Sequence, residues 1–132
     1  METSNNLLRQ VYGLLKEMGY DVKYIDELTL VINIKTSDFN QLNIIIQLDP
    51  TIRKIRFMVP TNFEVRSAGK LLRLLRHSFD SWKYFYAIDP EYYVIVICDT
   101  YFTDVRKLRV LIERIINYVI EGVSKLEDIL GT

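Results

Sequence analysis

The sequence predicts an α+β protein: an antiparallel sheet with helices mainly on one face, in the order α-β-β-β-β-α-β-β-α. Three observations predict it. Apolar residues recur at helical spacing from Ser4 to Met18 and again from Glu64 to Asp80. Short runs between and after them alternate apolar and polar residues with the period of a strand. A long segment with one broad apolar face closes the chain, from Thr103-Asp104 to about Leu130.

Each element has its own signal. In the first helix Leu7, Leu8, Val11, Leu14, Leu15 and Met18 form one stripe, with Ser4 or Asn5 as the expected N-cap. Gly19 suits the left-handed position that ends a helix. Strands follow at Asp21–Asp26 and Thr29–Lys35, then a polar loop from Thr36 to Asn40. Asn43–Leu48 and Lys54–Val59 come next, joined through Asp49-Pro50. Pro60 is expected to close the fourth strand, and the second helix to bury Ala68, Leu71, Leu72, Leu75 and Phe79. Trp82–Ile88 and Tyr92–Cys98 read as a hairpin around Asp89-Pro90-Glu91. The second of these strands is apolar on both faces, which predicts a central strand covered on both sides.

Composition narrows the class. With 49% hydrophobic and 26% charged residues over 132 positions, the chain is too apolar for disorder and fits a single domain, residues 1–132. Its longest apolar run, Tyr92 to Cys98, is too short for a membrane-spanning helix, so no membrane association is expected. The N-terminus lacks the basic-then-apolar pattern of a signal peptide. The lone Cys98 excludes an intrachain disulfide and points to a reducing, cytoplasmic setting.

Net charge is zero, which argues against a general nucleic-acid binder. Its distribution is uneven. Residues 51–83 hold eight Lys/Arg against Glu64 and Asp80, and the segment on either side is acidic by three.

Chemistry-bearing motifs are sparse. Arg66, Lys70, Arg73 and His77, at i, i+4, i+7 and i+11, form a basic stripe able to meet an anionic partner, either an acidic protein segment or a nucleic acid. His77 is the only histidine, so a two-histidine metal site is excluded. Cys98 reads as a small buried hydrophobe. Asp89, Glu91, Asp99 and Asp104 fall at strand ends or a helix start without catalytic spacing. The five glycines form no phosphate-cradling loop. Trp82, Tyr84 and Tyr86 share one strand face and suit a core or interface. No catalytic residue, metal ligand or cofactor site is expected, and the chain does not read as an enzyme.

Two segments carry a family resemblance. "LLKEMGYDVKYIDELTLVINI" (Leu14 to Ile34) is a helix ending in Gly-Tyr before paired strands. "LLRLLRHSFDSWKYFYAIDPEYYVIVICD" (Leu71 to Asp99) is a helix followed by strand–turn–strand. In this order of elements the chain resembles the type III secretion chaperone-like fold, including its YbjN-type relatives. The resemblance implies a noncatalytic homodimeric module that binds protein segments or helps regulate other proteins. A last helix with more apolar surface than a small domain can cover predicts the dimer interface at Ile116, Ile120 and Val123.

Overall fold

Alternate residues of the strands are buried, and that alternation fixes one face of the sheet. Leu30, Ile32 and Ile34, then Leu42, Ile44, Ile46 and Leu48, then Ile55, Phe57 and Val59, and finally Val94, Val96 and Cys98 all enter one core. The computed structural model describes residues 2–36, 41–102 and 104–131, and only the backbone at 2–5 and 105. Residues 37–40 of the expected loop, and Thr103 at the expected start of the last helix, lie outside the described residues.

The chain forms α1 (Glu2–Glu17), β1 (Asp21–Asp26), β2 (Thr29–Ile34), β3 (Leu42–Asp49), β4 (Lys54–Glu64), α2 (Ala68–Asp80), β5 (Phe85–Ile88) and β6 (Tyr93–Tyr101). A 3-10 turn (Val105–Lys107), α3 (Leu108–Ser124) and α4 (Leu126–Leu130) complete it. The six strands form one antiparallel sheet, β1-β2-β3-β4-β6-β5. The predicted class and order are therefore observed.

Leu7, Leu8, Val11 and Leu15 of α1 join the core together with Leu108, Ile112, Ile115, Ile116, Val119 and Val123 of α3. Gly19, at φ 91, ends α1 by letting the Tyr20 N–H donate to Leu15 O at 3.0 Å. The helix starts at Glu2, so Ser4 and Asn5 are inside it rather than capping it.

Several boundaries differ from the sequence reading, each for a physical reason. Pro60 does not close β4, which continues to Glu64. The β3 ladder reaches only Met58, so beyond it β4 pairs with β6 alone, Pro60 lying opposite Ile95. A missing N–H is tolerated where a strand has lost one neighbour. As a result the second helix begins at Ala68, not Glu64.

The long last helix is broken at Ser124–Lys125, and α4 packs under α2. Trp82 precedes β5 and is exposed, while Tyr84 and Tyr86 are buried.

β6 has only β5 between it and the sheet edge, and α3 packs against the core face alone. On the other face a straight apolar row crosses five strands: Val31, Ile45, Met58, Ile97 and Phe85, each paired with the next. None of these five belongs to the core that the helices close. The expected cover on both faces of β6 is thus not supplied by the chain's own helices.

Candidate protein-binding surface

α2 is strongly amphipathic, and such a helix ordinarily buries its apolar face. Here the opposite holds. Ser67 caps the helix, its Oγ accepting the Lys70 N–H at 3.2 Å, and sets its start at Ala68. The face turned to the sheet carries Leu74, 1% exposed, with His77 and Ser78 beside it. His77 Nε2 is hydrogen-bonded to the Tyr84 hydroxyl at 2.8 Å, its ring 5.7 Å from that of Tyr84 and 5.6 Å from that of Tyr86. Ser78 Oγ accepts the Tyr86 N–H at 3.0 Å.

The reason lies in the surface that α2 meets. The tyrosines flanking and within β5 bring polar atoms into a buried setting, and such atoms need partners. Burial pushes the Tyr84 and Tyr86 hydroxyls to higher pKa and holds them protonated. Histidine and serine meet that surface better than leucine. The Tyr86 hydroxyl donates onward to Gly122 O of α3 at 2.7 Å.

The apolar stripe is left facing out. Leu71, Leu72 and Leu75 are 40%, 49% and 54% exposed, and Phe79 is 89% exposed. Ala68, Leu72, Leu75 and Phe79 follow four-three-four spacing, the seam of a helix packed on another helix. Trp82, 80% exposed, follows two residues after the helix end. Its ring lies edge-on to Tyr118, with centroids 5.8 Å apart, and Lys83 Nζ sits near both rings while reaching Glu121 at 3.3 Å. Contiguous exposed apolar surface of this kind marks an interaction site.

The predicted basic stripe is dispersed. Arg66 precedes the helix, is paired with Glu64 and lies 4.5 Å from the centre of the Tyr92 ring. His77 turns inward to Tyr84 and Lys70 is half-buried. Arg73 is exposed, with its guanidinium beside Gly131. Arg76, which the sequence reading left out of the stripe, is also exposed and borders the apolar surface one residue after Leu75. Neither Arg73 nor Arg76 has an ion-pair partner among the described residues.

The predicted dimer residues all lie on α3. Ile116 and Val123 are 2% and 3% exposed and pack in the chain's own core, and Ile120 packs against that core while partly buried. The break after Ser124 divides the apolar face between α3 and α4, and Leu126 and Leu130 of α4 enter the same core as α3. What could have revealed the exposed surface was the polar pair His77-Ser78 opposite the leucines.

Other candidates are occupied by structural work. Burial, with Asp99 beside it, pushes the Cys98 thiol up to about 11, so it is protonated at neutral pH. Asp99 holds Arg56 through two hydrogen bonds of 2.7 and 2.8 Å and lies 3.8 Å from Lys54. Asp89 accepts the Glu91 and Tyr93 N–H groups, and Asp104 that of Arg106. An open cavity of about 800 Å³ between the β1–β2 and β3–β4 turns sets Asp26, Glu27 and Asp49 near Lys54 and Arg56. It lies away from α2. Among the described residues no helix is long and apolar enough to cross a membrane.

No family model matches the chain, and no curated protein matches it. Among solved structures it is similar to a chain of the heterodimeric complex ExoU-SpcU from the type III secretion system of Pseudomonas aeruginosa. The two are 17% identical, the match covers 89% of this chain and 95% of the other, and the TM-score is 0.58. At that identity the likeness is one of fold.

Proposed function

We propose that this chain is a noncatalytic, chaperone-like binding module of the cytoplasm, acting as one domain and recognising a segment of another protein. The observation that carries the reading is the outward apolar face of α2, Leu71, Leu72, Leu75 and Phe79, with Trp82 two residues past the helix end. The fold likeness to a chain from a complex of two different proteins supports it. Both the chaperone-like and the YbjN-type resemblance imply binding without turnover. The nucleic-acid alternative draws less support, because the four residues Arg66, Lys70, Arg73 and His77 do not share one surface.

Pairing of two copies is a second reading. The observation that favours it is the apolar row Val31, Ile45, Met58, Ile97 and Phe85 on the sheet face that the helices leave, where Val31, Ile45 and Met58 are half-buried, Phe85 is exposed and Ile97 is already buried.

A photo-crosslinking residue at Leu72 tests the leading reading in cells. The expected result is an adduct with a different protein, absent when the same probe replaces Glu91 in the β5–β6 turn. No adduct, or an adduct only with nucleic acid, would contradict it.

A further inference from the structure

Resting on that reading, we infer that α2 receives an amphipathic helix whose polar flank is acidic, supplied by a partner protein. The apolar stripe dictates the first half. Ala68, Leu72, Leu75 and Phe79 follow the spacing at which one helix meshes with another, and α2 offers about 20 Å of such seam at 1.5 Å per residue.

The charges dictate the second half. Arg76 borders the stripe and Arg73 lies behind it on the same flank, both exposed and without an ion-pair partner among the described residues. The opposite flank turns inward, Leu74 into the core and Ser78 to the Tyr86 N–H of β5, while Arg73 reaches past the rim to Gly131 at the end of α4. The surface is therefore an apolar seam with one charged flank, where Arg73 and Arg76 outweigh the single acid Asp80 one turn beyond Arg76 and leave a net basic rim. An incoming helix with leucines on one face and carboxylates beside them meets both parts.

A second copy fits this surface less well. In an antiparallel two-fold pair both basic rims fall on the same side of the seam, setting Arg73 and Arg76 of one copy beside those of the other. Like charges brought together this way oppose association. A nucleic acid would engage the rim and leave Leu75 and Phe79 in water.

The test uses the full chain and two synthetic helical peptides of about 18 residues, five turns. Both carry leucines at four-three-four spacing; one has glutamates on the flanks, the other lysines. Binding is followed by the fluorescence of Trp82, the only tryptophan, two residues past the end of α2. The acidic peptide should bind at least about tenfold tighter than the basic one and weaken as salt is raised. Arg73→Glu with Arg76→Glu should invert that preference, and Leu75→Asp should abolish binding of either peptide.

Equal affinity for the two peptides, no binding of either, or no inversion in the double variant would overturn the inference. Equal affinity abolished by Leu75→Asp would still leave protein binding at α2 standing. Self-association lost in Leu75→Asp would make a second copy the occupant, and the inference would fall. So would an oligonucleotide bound equally by wild type and Leu75→Asp but lost in the double variant.

Discussion

Gly122 shows how closely single positions decide this fold. It lies in the last turn of α3, where glycine is disfavoured by up to about 1 kcal/mol relative to alanine. A Cβ there would sit 2.5 Å from Val96 Cγ1 and 3.0 Å from Tyr84 Cδ1. Both neighbours are buried, and the Tyr86 hydroxyl fixes the same turn through Gly122 O. Overpacking of this kind costs about 1–3 kcal/mol and should outweigh the gain in helix propensity. Gly122→Ala is expected to lower the urea midpoint without changing the slope of the transition. An unchanged or raised midpoint would mean that α3 can move away from β6.

Little of this was readable in advance. The glycine is one of five in the chain, and nothing in the pattern around it distinguishes a close approach from a surface position. The spacing places His77 in a basic stripe on an exposed helix face, yet its ring lies on Tyr84 and Tyr86. The sequence shows that a histidine shares a helix face with arginines, but not that two tyrosines wait beneath that face.

Among the elements, strands were the most legible, because a period of two leaves little choice about which side is buried. Leu30, Ile32 and Ile34 alternate with Val31, Asn33 and Lys35, as Ile55, Phe57 and Val59 do with Lys54, Arg56 and Met58, and both sets enter the core. β4 was misjudged only at Pro60, whose tolerance depends on where β3 stops pairing. Helices were less legible. Periodicity identified the apolar face of α2 but not its direction, which Tyr84 before β5 and Tyr86 within it decide.

For α3 the apolar residues were identified, while the amount of cover available was underestimated. Ile116→Asp distinguishes the two accounts of that helix. A charge placed at a 2% exposed position should cost more than about 3 kcal/mol and unfold much of the protein, as read by far-UV circular dichroism. A folded variant with a smaller mass would return Ile116 to a subunit interface.

On the scale of the whole molecule, apolar residues are divided between a closed core, a largely half-buried row on the other sheet face and the exposed face of α2. The helices α1 and α3 close one side of the sheet. The row across the other side and the outward face of α2 remain. The basic middle of the sequence, residues 51–83, contains α2 and supplies its rim, so the uneven charge seen in the sequence has a location in the fold.

The functional reading depends on α2 lying with its polar side in and its apolar side out. The measurement that tests this most directly is equilibrium unfolding of Leu74→Asp and Leu75→Asp at several protein concentrations. Adjacent positions on one helix share propensity, so the difference between them reports orientation. The account predicts that Leu75→Asp stays within about 1 kcal/mol of wild type while Leu74→Asp loses more than about 3 kcal/mol. A tolerated Leu74→Asp beside an unfolded Leu75→Asp would contradict it and put the apolar stripe back in the core.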